Sequence, residues 1–193
     1  MRTLILTMVL SALVTFGASL AHADNPKGWI LAGSEPGSYE IGVDKMTRHG
    51  GGASGLIKSK VSTTSGFGTI MQTFKPLKLG GKRVRLSGWI KADKVGDWAG
   101  MWMRVDGSSK QPTAFDNMGN RPIKGTKDWA RYEIVLDVDS AAAAVAFGVL
   151  LTGTGTVWLD DLKVEIVDHT VPTTDNLPKS SEATEPQNLD FDL

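Results

Sequence analysis

Period-two alternation recurs along this chain in short stretches, and that pattern constrains its fold more than any other feature. In AGMWMRV (Ala99–Val105), Met101, Met103 and Val105 fall on one side and Gly100, Trp102 and Arg104 on the other. A half-buried strand needs this arrangement, because successive side chains leave opposite faces of the pleat. Val84, Leu86 and Ile90 likewise share a side with Gly88, opposite Arg83, Arg85, Ser87, Trp89 and Lys91. Tyr132, Ile134, Leu136 and Val138 oppose Arg131, Glu133 and Asp137. The run VAFGVLL (Val145–Leu151) is apolar on both sides and predicts a central strand covered on both faces.

Turn chemistry separates these stretches: Gly50-Gly51-Gly52, Gly80-Gly81, Asp106-Gly107-Ser108 and Gly153-Thr154-Gly155. Separate strands are predicted over 82–92 and 99–106, and others over 28–31, 39–43, 53–59, 66–74, 113–118, 130–137, 143–151 and 156–167. The only helix-friendly segment, 140–144, is too short to hold a helix. Many short strands without a long amphipathic helix predict an all-β chain folded as a jelly-roll β-sandwich.

The ends read differently. Arg2, the apolar run Leu4–Leu20 and the triplet Ala21-His22-Ala23 predict a signal peptide over 1–23, with a mature start at Asp24 and no further membrane insertion. The domain is expected over 24–168, followed by a disordered polar tail over 169–193, rich in Pro, Thr, Ser and acidic residues. The destination expected is periplasmic or secreted. The chain has no cysteine, so its stability must come from its core. Lysine plus arginine and aspartate plus glutamate number 21 each, which argues against a broad basic field for nucleic acid.

The succession of GW (Gly28-Trp29), HGGGASG (His49–Gly55), MQTF (Met71–Phe74), GKRVRLSGWIKAD (Gly81–Asp93), DWARYEIVLDV (Asp128–Val138) and TVWLDDLKVEIV (Thr156–Val167) resembles the galactose-binding-like jelly rolls. Within that group it is most similar to the carbohydrate-binding modules of secreted glycoside hydrolases. WAGMWMRVDG, AFDNMGNRPIKGT and AFGVLLTGTGTVWLDD also resemble a bacterial domain sometimes found beside DNA-binding regulator modules, although this chain carries no helix-turn-helix pattern.

The carbohydrate resemblance implies a glycan or similar polar small-molecule ligand, held by aromatic plates that stack on sugar C–H faces and by polar groups that bind hydroxyls. The candidates are Trp102, Arg104, Asp116, Asn117 and Arg121, with Trp89, Trp98, Gln72 and Glu133 behind them. Alternatives stay open for each. Trp102 can be a packing residue with Arg104 ion-paired to Asp116 or Glu133, and Asp116 and Asn117 can cap the turn that ends their strand. Trp29, Trp129 and Trp158 are expected in core or edge packing.

No cofactor is required, but Asp160 and Asp161 are where related modules place a carboxylate on structural calcium, with Glu40 or Asp44 as a further ligand. An enzyme is not expected. Only His49 and His169 follow the leader, and cysteine nucleophiles, paired zinc ligands and a phosphate loop are missing. A carboxylate glycosidase would need Asp106, Asp116 and Glu133 to converge. The remaining alternatives are a structural or protein-interaction sandwich, with a protein as partner, and a sensory domain.

Overall fold

A computed structural model describes residues 25–177; the leader expected over 1–23 and the tail beyond 177 lie outside the described residues. Nine strands follow one another: β1 (Ile30–Gly33), β2 (Tyr39–Asp44), β3 (Ser54–Ser59), β4 (Phe67–Phe74), β5 (Lys82–Asp106), β6 (Pro112–Asp116), β7 (Ile123–Val138), β8 (Ala144–Thr152) and β9 (Thr156–Val167). One 3-10 turn, Pro36–Ser38, is the only helical element among the described residues. All pairings are antiparallel.

The strand β5 organises the molecule. The stretches expected as separate strands over 82–92 and 99–106 are one strand, because residues 93–98 keep their pairing through a series of register shifts. Lys94, at φ 52, and the neighbouring Gly96 suggest a break, yet bulges of this kind bend a strand without ending it. The first half of β5 lies between β7 and β9, and the second half between β6 and β8. One strand thus serves two layers, in the order β1-β4-β8-β5-β6 for the first sheet and β2-β3-β9-β5-β7 for the second. β7 begins at Ile123, earlier than expected, because residues 123–127 pair with the bulged part of β5.

The inner faces supply the core. Met101, Met103 and Val105 meet Val145, Phe147, Val149 and Leu151 within the first sheet, against Val84, Leu86, Ile90, Ile134 and Leu136 of the second. Removing such apolar area from water is worth roughly 25 cal/mol per Å², so a core of this breadth stabilises the sandwich without cross-links. Buried Tyr39 donates its hydroxyl to the carbonyls of Gly66 and Gly153, both at 3.0 Å, and so anchors two turns at one end.

The segment after β9 corrects one expectation. Instead of leaving the domain at 168, residues 168–177 form a strap across the β7 and β6 edges. The Thr174 N–H donates to the Val135 carbonyl (2.8 Å), the Asn176 N–H to the Phe115 carbonyl (2.9 Å), and Arg83 holds the carbonyls of His169 and Val171 at 2.7 Å each.

Candidate functional site

The outer face of the first sheet carries an aromatic trough whose shape follows from register. Phe67, Thr152 and Trp98 form one row across β4, β8 and β5; Thr69, Leu150 and Gly100 the next; Met71, Gly148 and Trp102 the third. Glycines stand at Gly100 and Gly148 where neighbouring strands present large groups, and the result is a cavity of about 450 Å³. Trp98, Phe67, Phe115, Met71 and Leu150 supply apolar lining, while Arg104, Asn117, Thr69 and Thr152 supply polar atoms.

Trp102 forms the floor of this trough. It is 8 % exposed and packs with Ala146, Leu150, Met71, Trp98 and Phe115. Its indole N–H donates to the Thr69 hydroxyl at 2.8 Å, and that hydroxyl donates to the Val149 carbonyl at 2.9 Å. Thr69 sits two strands away, so the indole must cross β8, where the residue opposite Trp102 is Gly148. A Cβ on Gly148 would lie 2.1 Å from the Ile70 carbonyl oxygen, so no larger residue fits without moving β4. The apolar outer side of β8 is therefore covered by side chains rather than by another layer of backbone.

The other candidates separate. Arg104 grips Asp106, two residues along its own strand, through Nε (2.8 Å) and Nη2 (3.0 Å), rather than Asp116 or Glu133. Its Nη1 has no hydrogen-bond partner among the described residues, and its side chain is 44 % exposed over the trough. Asn117 lines the trough while its Oδ1 accepts from the Gly119 N–H at 3.0 Å.

Asp116 and Arg121 require correction as ligand contacts. Asp116 is fully buried, accepts from Arg121 at 2.6 Å and 3.1 Å, and takes the Met118 N–H at 2.8 Å. That carboxylate caps its turn, and Arg121 neutralises it. Of the second group, Trp98 joins the trough, whereas Trp89 and Glu133 belong to the opposite sheet. Gln72 stands outside the trough lining. Phe67 and Phe115 are functional candidates that sequence reasoning missed; Phe115 sits beside Arg104 in register and was legible only as part of a turn-ending strand.

The acids do not converge. Asp106 stands beside Arg104, Asp116 is interior and neutralised by Arg121, and Glu133 pairs with Arg131 at 2.9 Å on the second sheet.

On the second sheet's outer face, Arg85, Ser87, Trp89, Arg131, Lys163 and Glu165 line a polar groove of about 540 Å³. At its end the His49 ring stacks on Trp89 with centroids 3.9 Å apart, meets Trp129 edge-on at 5.9 Å, and hydrogen-bonds through Nδ1 to Asp161 at 2.8 Å. Asp160 accepts the N–H groups of His49 (2.8 Å) and Gly50 (3.1 Å) on one oxygen and that of Asp161 on the other. These carboxylates clamp the glycine-rich loop to the sheet.

That donor set does not fit a hard cation. N–H groups already address both Asp160 oxygens, and no three His, Asp or Glu side chains gather for a metal among the described residues. Asp44 is equally occupied. Burial alone would raise its carboxyl, but the N–H groups of Thr47, Trp158 and Met46 outweigh that and hold it below the ordinary carboxylate range.

With this geometry, comparison with known proteins places the architecture. A xylan-binding domain, CBM22-1 from Paenibacillus barcinonensis Xyn10C, superposes with a TM-score of 0.54 at 12 % identity, over 74 % of this chain and 88 % of its own. The fold is a jelly-roll β-sandwich. A Stig cyclase from Fischerella sp. TAU, solved with an indole-bearing pyrrolidinylidene compound, superposes with a TM-score of 0.53 at 14 % identity, over 75 % of this chain and 87 % of its own. The jelly roll therefore hosts both binding modules and enzymes.

In sequence, an uncharacterized HTH-type transcriptional regulator of Bacillus subtilis (strain 168), YbfP, is 48 % identical over 168 residues. Those residues are 86 % of this chain, which spans only 57 % of that relative's length. No family model matches the chain.

Proposed function

We propose that this chain is a non-catalytic binding domain that takes a saccharide in the trough over Trp102. The supporting observation is the trough itself: an aromatic-lined cavity of about 450 Å³ with Trp98 and Phe115 for stacking and the uncommitted Nη1 of Arg104 at the rim. Sugar rings offer an apolar C–H face to aromatic plates and hydroxyl oxygens to a guanidinium, so both halves of the lining are used. The xylan-binding neighbour makes xylan fragments the first ligand to try.

Calorimetric titration with xylo-oligosaccharides tests the reading. Trp98→Ala and Arg104→Ala are each expected to weaken binding roughly tenfold or more, the order of one lost stacking or charged contact, while circular dichroism stays unchanged. Absence of binding to any saccharide, together with tight binding of an apolar indole compound, would replace the sugar with a hydrophobic ligand in the same trough.

The relative named as a transcriptional regulator supports a second reading, in which the trough is the effector site of a regulatory protein. The two readings differ in location. The leader read over 1–23 supports a periplasmic or secreted binder, and cell fractionation of the full-length chain decides between them: a processed protein outside the cytoplasm supports the binder, an unprocessed cytoplasmic one the sensor.

A further inference from the structure

The two long edges of the second sheet are treated unequally. On the β7 side the chain covers its own edge, since residues 168–177 return across Val135 and Phe115 with backbone hydrogen bonds. On the β9 side no described segment does so. β3 pairs only with residues 156–159 of β9, so from Lys163 to Val167 the strand is paired with β5 alone among the described residues.

This uncovered half of β9 is apolar as well as open. Leu162, Val164 and Ile166 alternate on one side. Val164 and Ile166 lie opposite the buried Leu86 and Val84 in register, yet they are 39 % and 54 % exposed because no strand among the described residues pairs beyond them. Exposed edges of this kind are templates for pairing with another chain.

We propose that a second copy of this chain occupies that edge, through antiparallel β9 to β9 pairing centred on Val164. The charge pattern selects this occupant. In that register Lys163 lies opposite the partner's Glu165 and Glu165 opposite the partner's Lys163, while Leu162 faces the partner's Ile166 and Val164 its own counterpart. Shifting the centre by one residue in either direction sets Lys163 against Lys163 or Glu165 against Glu165, and like charges directly opposite are destabilising. The two-fold register that satisfies both charges also gathers the apolar side chains on one face, as an isologous interface requires. Asp161, at φ 50, and the end of β9 at Val167 bound the paired segment.

The test is sedimentation equilibrium on the purified chain and charge-reversed variants. The wild type is expected to dimerise with concentration. Lys163→Glu and Glu165→Lys should each weaken the dimer roughly tenfold, because each sets two like-charge pairs in place of two unlike ones. An equimolar mixture of the two variants restores unlike pairs at both positions and should form a heterodimer of wild-type strength, and the double variant should dimerise with itself. Hydrogen exchange at 163–167 should slow only at concentrations where the dimer forms.

A wild type that stays monomeric overturns the proposal. So does a dimer indifferent to the reversals, or a failure of the mixture to recover. Edge amides protected in a monomer would assign the edge to another segment of the chain.

Discussion

The outer faces of the two sheets use one construction for opposite chemistry. On the first sheet the third row runs Met71, Gly148, Trp102; on the second, the corresponding cross-strand row runs Lys163, Ser87, Glu133. In each, a small residue on the central strand opens a depression and its neighbours decide what fills it. Around Gly148 those neighbours are aromatic and the indole of Trp102 folds down to become the floor. Around Ser87 they are charged, and Arg85 stands 3.9 Å from Glu133 and 3.7 Å from Glu165 without closing the groove. Residue size at the centre thus sets the hollow, and side-chain chemistry at its margins sets its polarity.

The sharpest way to break that contrast is to change the residue at the centre of each hollow. Gly148→Ala drives a Cβ against the Ile70 carbonyl and should destabilise the fold by about 3 kcal/mol or more, seen as a lower urea midpoint. Ser87→Ala removes one buried hydroxyl from the other hollow and adds no bulk, so it should cost no more than about 1 kcal/mol. Next in size is Trp102→Ala, which removes the floor and leaves Thr69 without its donor; a loss of about 3 kcal/mol is expected, with xylan-fragment binding abolished. Trp102→Phe should recover most of the packing but not the Thr69 hydrogen bond.

The second face rests on smaller contributions. His49→Ala removes a stack on Trp89 and a contact with Asp161, and should cost about 1 kcal/mol, with faster hydrogen exchange confined to residues 45–53. Chelation should leave the melting temperature unchanged, because the Asp160 oxygens are held by N–H donors; a drop would restore calcium to this loop. Smallest is the effect of pH through Asp44. Its carboxyl titrates below its ordinary value in the folded state, so its stabilisation is complete above the unfolded pKa and fades as pH falls through the folded one. Asp44→Asn should flatten the acid limb of the stability curve.

Much of the scaffold is legible in the sequence. Tyr132, Ile134, Leu136 and Val138 alternate in sequence, and Ile134, Leu136 and Val138 are buried in the core with Tyr132 packed against it. The continuity of β5 was not legible, because Lys94 and Gly96 carry turn chemistry locally while cross-strand pairing to β7 holds the segment extended. At the site, the shared face of Trp102 and Arg104 followed from their spacing. The pairing of Asp116 with Arg121 depends on a turn that brings residues five apart together, and no strand or helix period encodes such a contact.

By itself the sequence determined the class of structure and the sidedness of each strand, since both depend on a period of two that any reader of the chain can follow. Tertiary structure alone decided which faces meet. That Trp102 lies beneath a trough depends on Thr69 two strands away and Gly148 between them, and that β9 keeps an open edge depends on where β3 stops. Both are facts of register between distant segments, which local pattern does not carry.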